Sequence, residues 1–194
     1  MAKQSTKIKI VAEGAKVIQK KGFNNTGIID VLNAAGVPKG SFYFYFKSKE
    51  DFGIEVINYL AENVRRAWTQ SPKYTTESPL ESLKRRFDEA TTYFQHAGCI
   101  GGCPIGNLAQ EMGDLNDVFR QRLQEIFLEM RNVIAQSIRE AQRLSEINRS
   151  FDAEQLADFI LNSWEGALLR MKTEKSVIPL LNFNQVIFDI LFKR

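Results

Sequence analysis

The chain has 194 residues, 44% of them apolar and 25% charged, which is ordinary usage for a folded protein and excludes collagen, a disulfide-stapled miniprotein and a disordered tail. Its net charge of +3 hides an asymmetry, because residues 1–52 hold nine lysines against Glu13, Asp30, Glu50 and Asp51, a surplus of five, while the remainder nets −2. The first twenty residues scatter lysine among the apolar positions, and no stretch approaches the ~18 consecutive apolar residues of a membrane helix. Neither a secretory signal nor a membrane span is expected, and the cytoplasm is the expected location. In that setting Cys99 and Cys103 are expected as free thiols.

Ile10, Val11, Gly14, Ala15, Val17 and Ile18 recur at helical spacing with lysines between them, and Gly22 ends this first helix as a C-terminal cap would. After the Asn24-Asn25-Thr26-Gly27 turn, Ile28, Val31, Leu32 and Ala35 predict a short second helix, stopped by Gly36. Pro38 suits the first turn of a third helix, which covers Lys39 to Tyr45. The aromatic run Phe42 to Phe46 has the composition of a strand, but a lone strand would leave its backbone groups unpaired, so helix is preferred. Ser48 with Asp51 marks the start of a long fourth helix that carries Phe52, Val56, Leu60, Val64 and Trp68.

Gln70 to Ser78 interrupts the pattern, and Ser78-Pro79-Leu80-Glu81 forms a capping box for a fifth helix with Leu83, Phe87, Ala90 and Phe94. Glycines 98, 101 and 102 break that helix, and Pro104 opens a sixth. Phe119, Leu123, Phe127, Met130, Ile134 and Ile138 mark a long seventh. An eighth spans Asp152 to Lys172, and a ninth spans Phe183 to Phe192. With no convincing strand pair, the expected class is all-α with about nine helices.

Two short helices joined through Gly36 fit a helix-turn-helix, whose second helix enters the major groove of DNA. The lysine surplus falls on the same segment, and lysines supply sequence-independent affinity by neutralising phosphates. The run Ala35-Gly36-Val37-Pro38-Lys39-Gly40-Ser41-Phe42-Tyr43-Phe44-Tyr45-Phe46-Lys47-Ser48-Lys49-Glu50, with Gly22-Phe23 and Asp30 upstream, closely resembles the signature of the TetR family of transcriptional regulators. The detailed resemblance covers residues 7–57, and the later helices match in number and order.

That resemblance implies a DNA-binding domain at 1–47 and a ligand-sensing and dimerisation domain at 48–194. It also implies a homodimer that binds a palindromic double-stranded operator, with repression as the default. By position, Lys39, Gly40, Ser41 and Tyr43 would lie against the groove, and Tyr43, Tyr45 and Lys49 would meet phosphates. This chain has Pro38 where Ser or Thr often caps, Gly27 where a hydroxyl often caps the second helix, and Tyr45 where His is common. Thr26 is expected to take over the capping or phosphate role.

Dimerisation is expected on the last two helices, since Leu161 and Leu169 fall off the main apolar face. Between head and dimer helices, His96, Cys99 and Cys103 contain metal-ligand chemistry, but the spacing matches no compact zinc site, and no metal or cofactor is expected. A phosphate cradle would need a Gly-Lys-Ser/Thr that is missing. If Pro104 opens a helix, Cys103 occupies its N-cap, where unpaired N–H groups favour a thiolate that reacts with electrophiles and oxidants.

Gly102-Cys103, Glu111, Asp114-Leu115 and Gly166-Ala167 followed by Lys172 resemble the electrophile-sensing branch of the family, typified by the repressor of N-ethylmaleimide reductase. That narrower resemblance implies a sensing pair of Cys103 and Lys172. The competing readings are a Cys103 that merely lines a pocket for a noncovalent ligand, and a thiol enzyme. The enzyme is disfavoured because His96, the lone histidine, has no recognisable orienting partner.

Overall fold

The computed structural model describes residues 2–69 and 77–192; most of the Gln70–Ser78 interruption, with Lys73, lies outside the described residues. Nine α-helices are present and no strand occurs among the described residues. They are α1 (Ala2–Lys21), α2 (Ile28–Ala35), α3 (Phe42–Tyr45), α4 (Lys49–Thr69), α5 (Pro79–His96), α6 (Pro104–Met112), α7 (Asp117–Arg143), α8 (Ala153–Glu174) and α9 (Ile178–Asn184). The all-α expectation holds.

Local chemistry sets most boundaries. Gly22 (φ 82°) and Gly36 (φ 61°) both adopt the left-handed conformation that ends a helix, and the amides of Gly36 and Val37 donate to Asn33 O and Leu32 O. Ser78 Oγ accepts from the Glu81 amide at 3.2 Å while the Glu81 carboxylate accepts from the Ser78 amide at 3.1 Å, the reciprocal box expected at the start of α5. Ser48 Oγ accepts from the Asp51 amide, and the Asp51 carboxylate reaches back to the Lys47 amide.

Two elements differ from expectation. Lys39 to Ser41 form a 3-10 turn rather than α-helix, closed by the Ser41 amide donating to Pro38 O at 2.9 Å. Gly40 contributes little helix propensity there, and the α-helix proper begins at Phe42. The last helix begins at Ile178, not Phe183, because Pro179 favours a first helical turn and Ser176 Oγ accepts from the Ile178 amide. It then widens into a π-helix over Gln185–Leu191.

The chain divides into two compact units, residues 1–66 with 104–126, and residues 67–103 with 127–194. This partition differs from the expected boundary at 47/48. The first unit is centred on aromatic rings: Phe42, Phe46 and Phe52 lie within 5.5 Å of one another centroid to centroid, and Phe23 meets Phe119 at 4.9 Å. A Cβ on Gly53 would stand 2.3 Å from Phe119 and 2.7 Å from Phe23, so α4 needs glycine there to approach. The start of α7 therefore belongs to the same packing unit as the head. In the second unit Phe87 is the hub, with Trp68, Trp164 and Phe183 all within 5.0 Å.

Replacing Gly53 by alanine is expected to cost about 1–3 kcal/mol through overpacking. Ser78→Ala is expected to cost about 1 kcal/mol through loss of the cap. Urea denaturation of each variant against the parent chain measures both.

Candidate DNA interface and sensor site

In the first unit, Leu32, Ala35, Phe42 and Phe46 are buried and hold α2 and α3 together. The opposite side of the 3-10 turn and α3 is open. Tyr43 is 70% exposed and Phe44 58%, Lys39 and Gly40 are exposed, and a Cβ on Gly40 would meet nothing within 4 Å. Ser41 and Tyr45 are half-buried. Phe44 was not singled out from sequence, because its neighbours Phe42 and Phe46 in the same run are core.

The head's lysines fall into two sets. Lys7 pairs with Glu55 at 2.6 Å, Lys16 with Glu13 at 2.7 Å and Lys21 with Asp30 at 3.4 Å. Lys39 carries no ion pair or hydrogen bond among the described residues. The Lys49 ammonium donates to Asn24 O at 3.2 Å and sits 4.6 Å over the Phe23 ring, which places it beside the turn before α2 with further donors left over.

Thr26 lies inside the head rather than on its surface. It is buried, with its hydroxyl donating to Gly22 O at 2.6 Å, which satisfies the end of α1 and leaves it unavailable to a phosphate. The start of α2 is served instead by Asp30, whose carboxylate accepts from the Gly27 amide at 3.1 Å. That bond, with Lys21 beside it, holds the Asp30 carboxyl below its ordinary range.

The turn between α1 and α2 is gripped by α6. Glu111 Oε2 accepts from the Phe23 amide and Oε1 from the Asn24 amide, both at 2.8 Å. One carboxylate thus satisfies two backbone donors that follow a helix end, with both bonds charge-assisted. Glu111 was noted in the sequence only through the narrower resemblance, since a partner 87 residues away leaves no local signal.

Cys103 immediately precedes Pro104, the first residue of α6, as expected, and it is buried. Before it, Gly98, Cys99, Gly101 and Gly102 all take positive φ. His96 is exposed, and no group of three or more metal-ligating side chains occurs among the described residues. In the second unit burial pushes the Glu165 carboxyl on α8 above its ordinary range, with the Cys103 thiol acting the other way. Lys172 is exposed near the C-terminal end of α8, about two helical turns beyond Glu165.

On α8, α9 and the following π-helix, Phe159, Leu169, Ile178, Leu181, Val186 and Ile190 are each about half exposed or more, and a groove of about 320 Å³ is lined in part by Phe159, Gly166, Arg170 and Val186. Leu169 thus lies off the core as expected. Leu161 does not: it is 5% exposed and belongs to the core.

An exposed aromatic and basic recognition element on a buried two-helix support defines a helix-turn-helix DNA-binding regulator. The comparisons with known proteins agree. Residues 10–56 match the family described as bacterial regulatory proteins, tetR family, and residues 79–187 match the tetracyclin repressor-like C-terminal domain. The chain belongs to the TetR family of transcriptional regulators.

It is 34% identical to the HTH-type transcriptional repressor DhaR of Mycobacterium sp. (strain GP1), over 98% of this chain and 94% of that protein. It is 36% identical to the transcriptional regulator AcuR of Cereibacter sphaeroides, over 91% of this chain and 80% of that protein. The crystal structure of reduced NemR from E. coli superimposes with a TM-score of 0.88 at 25% identity, covering 96% of this chain and 97% of that one. Members of the family bind DNA, typically as dimers, with ligand-responsive release. No described helix is long and apolar enough to cross a membrane.

Glu111→Ala is expected to destabilise the fold by about 2 kcal/mol by stranding two amides, and Glu111→Gln by less, because one carbonyl acceptor remains. Chemical denaturation of the two variants resolves the difference.

Proposed function

We propose that this protein is a repressor that binds a palindromic operator as a homodimer and is released by a small molecule or reactive electrophile acting at Cys103. Residues 1–47 bind DNA and residues 48–194 sense and dimerise. Lys39, Gly40, Ser41 and Tyr43 lie against the major groove, Tyr43 and Tyr45 donate to phosphates, and Lys49 acts mainly by fixing the Asn24 turn beside them. Tyrosine suits this task, with a ring that packs on protein and a hydroxyl that reaches a phosphate.

The observation that carries the sensing mechanism is the Glu111 grip. Cys103 sits at the mouth of α6, and eight residues on, the same helix holds the backbone of the turn that carries α2. Modification of Cys103, or filling of a pocket beside it, shifts α6 and with it the head. A coupling that changes operator affinity by about 5- to 150-fold is typical of such linkage. The burial of Cys103 favours a second reading, in which a noncovalent ligand acts and the thiol is only part of a pocket wall. The family and the relatives' names speak for regulation rather than catalysis.

The half-exposed apolar side chains on α8, α9 and the π-helix support a dimer face, since a monomer would leave them to water. Ile190→Glu is expected to convert the dimer to monomer and to weaken operator binding, as read by sedimentation and by DNA titration.

Selection from random DNA tests the main claim, with an enriched palindrome expected. Operator release by electrophiles from wild type but not from Cys103→Ser supports the thiol sensor, whereas equal release selects the noncovalent reading. On the selected site, Lys39→Ala is expected to lower the slope of log affinity against log salt by about 1, Lys49→Ala by less, and Lys84→Ala not at all. Lys84 serves as the control because it pairs with Asp189 at 2.7 Å in the second unit.

A further inference from the structure

Three phenylalanines stand at alternate positions in the run Phe42 to Phe46, and they do different things. Phe42 and Phe46 are buried, and the Phe46 amide donates to Phe42 O at 3.0 Å, so these two rings fix which side of α3 faces the core. Phe44 lies two residues from each, about 200° round a helix, and its ring is accordingly on the other side, 58% exposed. It is braced there by Tyr45, whose ring meets it edge-on at 4.9 Å. Gly40 lies four residues earlier, about one helical turn, and a Cβ there would meet nothing within 4 Å. The recognition element therefore carries an apolar ring beside a stretch of bare backbone.

The chemistry of that ring limits what it can meet on DNA. Tyr43, next to it and 70% exposed, has a hydroxyl for a phosphate, but phenylalanine has no donor or acceptor to offer a phosphate or the polar edge of a base. In the major groove thymine alone presents an apolar group, its ring methyl. The missing side chain at Gly40 lets base edges come close to the chain on the same side, which brings the ring to their depth.

We propose that Phe44 is a specificity-determining residue that reads the methyl group of one thymine in each half of the operator. This rests on the reading that Lys39, Gly40, Ser41 and Tyr43 lie against the major groove, and it adds the side chain that selects a base there. Cytosine at that position would turn an amino group toward the ring and leave it without a partner, so the contact rejects as well as selects.

The test uses the full-length protein and the palindrome enriched from random DNA. Each thymine is replaced in turn, in both halves together, by deoxyuridine, which lacks only the methyl. Wild type is expected to show a position where affinity falls about 15-fold, or about 4-fold for each buried methyl lost. Phe44→Ala is expected to bind the thymine site more weakly than wild type and to bind its thymine and deoxyuridine forms equally. Phe44→Leu, which keeps an apolar side chain, is expected to retain a preference for thymine, and it serves as the second variant if alanine loosens α3.

If no deoxyuridine replacement weakens binding by wild type, the assignment is overturned and the groove reading stands. If Phe44→Ala loses affinity by the same factor on both forms, the ring packs on the sugar-phosphate backbone and the assignment is likewise overturned. If no palindrome is enriched, the groove reading falls and the assignment with it.

Discussion

The grip of Glu111 on the amides of Phe23 and Asn24 is the constraint on which the architecture turns. The first turn of the helix-turn-helix is fastened by the carboxylate of a helix more than eighty residues downstream. The packing of Phe23 on Phe119 and the side-chain-free approach at Gly53 close the same region with apolar contact. Directional hydrogen bonds and aromatic packing thus meet at one place. The head is consequently held by α6 and the start of α7, and any displacement of α6 has to be taken up by the turn that it grips.

The helices and their ends were largely legible because they are set by local chemistry. Gly22 and Gly36 announce left-handed caps, Ser78 and Glu81 a reciprocal box, and Pro104 a first turn, and each of these needs only neighbours within four residues. The recognition element was legible through its resemblance to a known signature. What could not be read were side chains whose role is decided across the fold. Thr26 was expected to cap or to meet a phosphate and is buried as the cap of α1, and Leu161 was expected off the main apolar face and is core. Glu111 carried no local signal, since nothing in a sequence marks which glutamate on a helix will hold a turn more than eighty residues away.

The charge asymmetry along the chain changes meaning in the same light. A surplus of five on the head suggests a diffuse positive field, yet Lys7, Lys16 and Lys21 are each held by an acid of the same unit. Such exposed pairs contribute little to stability, but they direct where uncompensated charge remains. It remains at Lys39 on the recognition element and at Lys9, Lys20 and Lys47, for which no ion pair is formed among the described residues.

The empty space around Gly40 has an evolutionary consequence. Most glycines of the head are locked in by packing or by backbone conformation: a side chain at Gly14 or Gly53 would strike a phenylalanine ring, and Gly22 and Gly36 hold positive φ. Gly40 has neither restraint, so a Cβ can be added there without a clash. A side chain can be added there while the core stays intact, so this position of the chain can vary without the packing having to change with it.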